Sequence, residues 1–210
     1  DVLTSVQYEK LKKFSEEHVL LNFSQLEQFK PIMILMLAMQ SEIPDNMDEG
    51  VDVYLYKYAK SKGKKTLALE TLKEQMDVFD AMSYDKIIEA VDEYDSEEGI
   101  SYEDLIVAYE SSDLNQMNLI TKEGEAKNEK FMKALLQDRN IVMTQRIPVL
   151  MEKASTVFAV GAGHLEGDEG LLSLLENKGF TVSPIIAGKT LPEKLSVEDK
   201  GVVKELLGVK

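Results

Sequence analysis

The chain has 210 residues, 44% of them apolar, enough for one sizeable hydrophobic core. It contains no cysteine, which excludes a disulfide framework and a thiolate metal site and leaves the redox compartment open. The net charge of −14, with no arginine-rich arm or basic groove, argues against nucleic acid as a partner, and no apolar run reaches the ~18 residues of a membrane span.

The charge is local. Residues 74–125 hold 16 acids against Lys86 and Lys122, while acids and bases balance elsewhere. Such a block reads first as a solvated helical surface and second as a face for a cationic partner or for loosely held cations. The opening residues, "DVLTSVQYEK", include neither an initiator methionine nor a signal-like segment, so an upstream portion is expected to be missing.

Residues 1–63 read as helical. Thr4 or Ser5 caps "VQYEKLKKFSEEH", Ser24 caps a second helix with Pro31 as an internal kink, and a third helix closes at Gly63. "KTLALE", residues 65–70, reads as a strand, and Thr71 with Glu74 forms a capping box. Residues 71–152 read as a helical insertion with breaks near Tyr84, "EEGIS" and Gly124. Residues 155–187 read as a βαβ unit: "STVFAVGA", a helix closing at Gly179, and "FTVSPII". A C-terminal helix follows over 195–208. The expected fold is therefore a single α/β domain, helix-rich overall, with a small mainly parallel sheet and a long all-helical insertion between strands.

The stretch "VFAVGAGHLEGDEG" carries the strongest chemical signal. Its glycines, Gly161, Gly163 and Gly167, are spaced G-x-G-x-x-x-G, and "FTVSPII" ends without an acid, so a dinucleotide cradle is disfavoured. The bland alternative is a tight strand-to-helix corner, which leaves the histidine in the turn unexplained. In a parallel sheet, His164, just past one strand, and Glu70, at the end of another, project from the same carboxyl rim. An imidazole and a carboxylate there form a metal-site or acid/base pairing.

Arg139 falls on the apolar stripe Met132, Leu136, Met143, Ile147, Leu150, so it needs a carboxylate, a ligand or a helix end. It reads either as a salt bridge to a neighbouring acid, or as a side chain snorkelling at the stripe's edge, or, with Asn140, as an oxyanion or substrate clamp. "EYDSEEGISYED" places Glu98 where a calcium loop needs glycine, and reads as a solvated connection. His18 reads as a charge favourable to a helix C-terminus. No motif supports a Ser or Cys nucleophile.

Five segments in order resemble the TraB/GumN family, which includes the Tiki metalloproteases, over residues 8–187. They are "FKPIM", "GVDVYLYKYAKSKGKKTLALETLKEQMDVFD", "AYESSDL", "LLQDRNIVM" and "VFAVGAGHLEGDEGLLSLLENKGFTVSPI". The resemblance implies a metal-dependent hydrolase, a peptidase of Tiki type, using manganese or cobalt on a peptide or small-molecule substrate. His164, in the second G-x-x-H motif, and Glu70 would be metal residues. Glu70, Arg139 and Asn140 would be catalytic, with Gly161 and Gly163 permitting the turn. The family's first G-x-x-H is absent, and His18, preceded at the motif position by Ser15, does not replace it. The chain by itself is therefore expected to bind metal weakly or not at all and to be inactive. It is also expected to expose an open sheet edge that invites homodimerisation. Export to the periplasm or cell surface is a further implication of the resemblance. The alternative function is a non-catalytic protein that binds a peptide or ligand in the same rim pocket.

Overall fold

The computed structural model describes residues 3–41, 50–94 and 102–185. Helix α1, Ser5–His18, starts at a capping box in which Thr4 accepts from the Gln7 amide and the Gln7 side chain returns to the Thr4 backbone. Helix α2 is the single turn Phe23–Leu26, and α3, Pro31–Ser41, is the greasiest element. Helix α6, Tyr84–Glu93, is capped by Ser83 and lays Ile87 and Ile88 against them. Leu11, Phe14, Phe23, Leu26, Ile32, Ile34, Leu35 and Ala38 complete this first core. Each fully buried Leu or Ile there contributes ~1.5–3 kcal/mol.

Helix α4, Val51–Ser61, buries none of its residues and ends where Gly63 takes a positive φ of 66°. Helix α5, Leu72–Asp77, starts from the Thr71–Glu74 capping box and runs into a 3₁₀ turn, Val78–Ala81. Helices α7, Tyr102–Glu110, and α8, Leu114–Met132, follow. A π-turn, Lys133–Gln137, joins α8 to α9, Asp138–Met151. Beyond a 3₁₀ turn at Ala162–His164, α10 spans Leu171–Asn177. Met143, Ile147 and Leu171 form a second, smaller core, with Leu69, Phe158, Val160 and Leu175 packed against it.

The expected α/β class is overturned, because the described residues contain no strand and no sheet. Of the segments read as strands at 65–70, 155–162 and 180–186, the described residues, which reach 185, have no regular secondary structure beyond the start of the 162–164 turn, and no backbone hydrogen bond joins them. An apolar run becomes a strand only when another strand takes its N–H and C=O groups. Here Leu67 is 61% and Val157 66% exposed, whereas a central parallel strand is covered on both faces. With no sheet among the described residues, the βαβ unit and the open sheet edge fall away, and with the edge goes the reason given for homodimerisation.

Other boundaries also move. Asn22 rather than Ser24 precedes α2, and Pro31 opens α3 instead of kinking a longer helix. That first-turn position costs nothing, since its missing N–H would be unpaired there anyway. Helix α8 runs through Gly124, and its irregular residue is Asn128, at φ −151° and ψ 75°. The helix expected to end at Gly179 starts only at Leu171. The C-terminal helix expected over 195–208, and most of the calcium-loop candidate, lie outside the described residues.

Candidate functional site

Helices α9 and α10 and the loops beside them converge around the second core. Helix α9 supplies Arg139 and Asn140 from its first turn, directly after the π-turn. In that turn the Asp138 amide donates to the Lys133 carbonyl, the wider i to i+5 pattern. The Leu135 carbonyl inside it accepts from Arg139 Nη1 at 2.8 Å. The guanidinium is thereby braced by the backbone of the turn before it.

Glu70 meets Arg139 in a two-pronged pair. Nε donates to Oε1 at 2.8 Å and Nη2 to Oε2 at 2.7 Å. The Glu70 side chain is 6% exposed and that of Arg139 20%. Hydrogen bonding from Arg139 holds the Glu70 carboxyl below its ordinary range despite the opposing effect of burial. Arginine suits the position because its planar fork matches both carboxylate oxygens. Each Nη keeps one N–H with no partner among the described residues.

His164 is buried at the end of its 3₁₀ turn, and its Nδ1 lies 2.7 Å from Asn140 Oδ1. Asn140 is itself 2% exposed, and its Nδ2 donates to the Glu169 carbonyl at 2.8 Å. A carbonyl only accepts, so the amide's Nδ2 must face Glu169 and its Oδ1 must face the imidazole. Nδ1 is then the protonated nitrogen, and the lone pair lies on Nε2. Thr144, also buried, donates to the Asn140 carbonyl at 2.6 Å. Burial, and after it the Arg139 charge, lowers the imidazole pKa to about 4, with Glu70 opposing. His164 is neutral at pH 7, with a fixed tautomer and Nε2 free of hydrogen bonds among the described residues.

The structure thus brings Glu70, Arg139, Asn140 and His164 into one neighbourhood. Gly161 has an ordinary φ of −59°, and a Cβ there would meet only the His164 ring, at 3.8 Å. A Cβ on Gly163 would touch Leu136 at 3.7 Å. The demanding glycines come later. Gly167 sits at φ 93°, and a Cβ on Gly170 would lie 2.3 Å from the Glu166 carbonyl oxygen. They fold the 165–170 loop back so that the Glu169 carbonyl reaches Asn140.

Sequence reading missed Arg146 and the second task of Glu74. Arg146 Nη1 donates to the Leu69 carbonyl at 2.7 Å, and its Nη2 reaches Glu74 Oε1 at 2.5 Å. The available signal was composition: Arg139 and Arg146 are the chain's two arginines, i and i+7 on one helix. His18 lies elsewhere, its ring tilted against Phe14 and edge-on to Tyr94.

Comparison with known proteins adds a lineage. A model of the TraB/PrgY/gumN family matches residues 1–184. The sponge Amphimedon queenslandica has a relative called metalloprotease TIKI homolog, 26% identical, with 79% of this chain aligned to 39% of that protein. Metalloprotease TIKI2 of Xenopus tropicalis is 25% identical over 78% of this chain and 38% of its own length. Human metalloprotease TIKI1 is 23% identical over 79% and 39%. The chain spans about two fifths of the length of these relatives. No solved structure matches it.

A metal, suggested by those names, can be tested against the donors present. Among the described residues no three His, Cys, Asp or Glu side chains cluster as a metal site. Glu70 has both oxygens engaged by Arg139. His164 does offer an uncommitted lone pair, at Nε2, and is held as a metal-binding histidine is held, by a hydrogen bond at its other nitrogen. The described residues fit one coordination position and do not form a metal site by themselves. With a family match that covers most of its length, the chain belongs to the TraB/PrgY/gumN family.

Proposed function

We propose that this chain is part of a metal-dependent hydrolase that cleaves peptide bonds, in which His164 contributes one metal donor through Nε2. The observation that carries the reading is the His164–Asn140–Glu169 relay, which fixes the tautomer and leaves a neutral nitrogen available. The described residues do not supply the remaining donors as a cluster. Asn140 is a positioning residue for His164. Arg139, braced by Leu135 and Glu70, keeps an N–H on each Nη for a substrate carbonyl or a developing oxyanion. Glu70 holds that guanidinium in place and balances its charge beside the imidazole.

A second reading, binding of a peptide without turnover, draws support from the same pair. A carboxylate with both oxygens committed to Arg139 is poorly placed to take a proton. The test is titration of the chain and of His164→Ala with manganese(II) or cobalt(II), following histidine ring signals by NMR, alongside elemental analysis of the full-length protein. Weak binding with broadening at His164 ahead of His18, and metal lost from the full-length variant, is the expected result. Unbroadened His164 signals at millimolar metal, with equal metal in both full-length proteins, would sink the metal assignment. Peptides retained but not cleaved by the full-length protein would favour the binder.

A further inference from the structure

We propose that Arg146 is a positioning residue for Glu70, acting with Glu74 and Thr71 by fastening the corner from Leu69 to Glu74. The chain uses lysine for all of its basic residues except two, and both arginines lie on α9 and grip this one corner. Arg139 takes the Glu70 carboxylate itself. Arg146 takes the peptide carbonyl just before it, at Leu69, and the Glu74 carboxylate just after it, with Nη1 at 3.1 Å from Oε2 and Nη2 at 2.5 Å from Oε1. Glu74 Oε2 also accepts from the Thr71 amide at 2.7 Å and hydroxyl at 2.9 Å. Glu70 is therefore bracketed on both sides by groups tied, directly or through Glu74, to one guanidinium.

The bracket matters because, among the described residues, the corner has little other support on the side leading into Glu70. The segment leading into Glu70 makes no strand pairing among the described residues, and Leu67 points largely into solvent. Leu69 packs against the second core and Thr71 starts α5; between them, side-chain hydrogen bonds hold the Glu70 carboxylate where it stands. Lysine at position 146 would bring one nitrogen where the guanidinium presents two, so it could not keep the two-pronged contact with Glu74 together with the Leu69 carbonyl. The strength of the hold agrees with Glu74, whose carboxyl is lowered to about 2, chiefly by Arg146 and next by the Thr71 amide.

The inference rests on the reading of Glu70 as a site carboxylate, and its test needs neither metal nor turnover. In Arg146→Lys, Arg139 is the chain's sole arginine, so its Nε–H signal is unambiguous. Exchange of that proton with water is measured in wild type, Arg146→Lys, Glu74→Gln and Ile88→Val, the last a first-core variant remote from the corner. The expected result is at least tenfold faster exchange in Arg146→Lys and Glu74→Gln, and wild-type exchange in Ile88→Val at matched loss of thermal stability. If Arg146→Lys does not fold, Glu74→Gln, which keeps the capping-box geometry, decides alone. Wild-type exchange in the variants that fold, or equal acceleration in Ile88→Val, overturns the proposal. Absent peptide cleavage in the full-length protein would count against the hydrolase reading and leave this result standing.

Discussion

Burial of a neutral histidine makes stability depend on pH in a predictable direction. The ordinary value for His164 is 6.5 and its folded value is about 4, lowered by burial first and Arg139 second. As pH falls, the unfolded chain takes up the proton first, so protonation favours unfolding. The contribution of the neutral imidazole is complete above the unfolded value, is lost as pH falls from 6.5 towards 4, and is constant below. A depression of this size is worth at most about 3 kcal/mol. The Arg139 side chain is 20% exposed and partly screened by solvent, which brings the expectation to about 2 kcal/mol. The assay is urea unfolding of wild type and His164→Gln at pH 7.5 and 4.5. Other carboxylates, Glu70 and Glu74 among them, also lose stability as pH falls, but both proteins share that loss. The stability of wild type relative to the variant should shrink by about 2 kcal/mol on acidification. A difference independent of pH would refute the buried neutral imidazole, and with it the free Nε2.

Three further outcomes are expected. Asn140→Asp puts a carboxylate beside Nδ1 and should raise the His164 pKa by at least about one unit in an NMR titration. The same change sets an acceptor against the Glu169 carbonyl and should cost ~1–3 kcal/mol in urea unfolding. Glu70→Ala removes the partner of a largely buried guanidinium and should destabilise by about 3 kcal/mol, with Glu70→Gln costing less because the amide oxygen still accepts; equal losses would deny the two-pronged pair. Gly167→Ala meets both a φ of 93° and Asn118 Oδ1 at 3.0 Å from the new Cβ, and should cost ~1–3 kcal/mol. Gly161→Ala, with an ordinary φ and contact at 3.8 Å, should cost less; the reverse order in chemical denaturation would contradict the loop geometry.

Features set by neighbours in sequence were legible from the sequence. The Thr71–Glu74 capping box, a cap at Thr4 and the closure at Gly63 each depend on residues within one helical turn, and each is in the structure. The stripe through Met143 and Ile147 predicted their burial, and the polar Arg139 on that stripe did find a carboxylate. Features that need a distant partner were not legible. "STVFAVGA" has the composition of a buried strand, but a strand exists only through bonds to another strand, and none is made among the described residues. Arg146 and Glu74 are 72 positions apart, and no local pattern announces that they meet. The sequence could nominate His164, but its protonated nitrogen was decided by a carbonyl at Glu169 that orients Asn140. Periodicity and capping are local energies, written within a few residues. Sheet pairing, ion pairing and tautomer choice are energies between segments, and only the folded chain brings those segments within reach of one another.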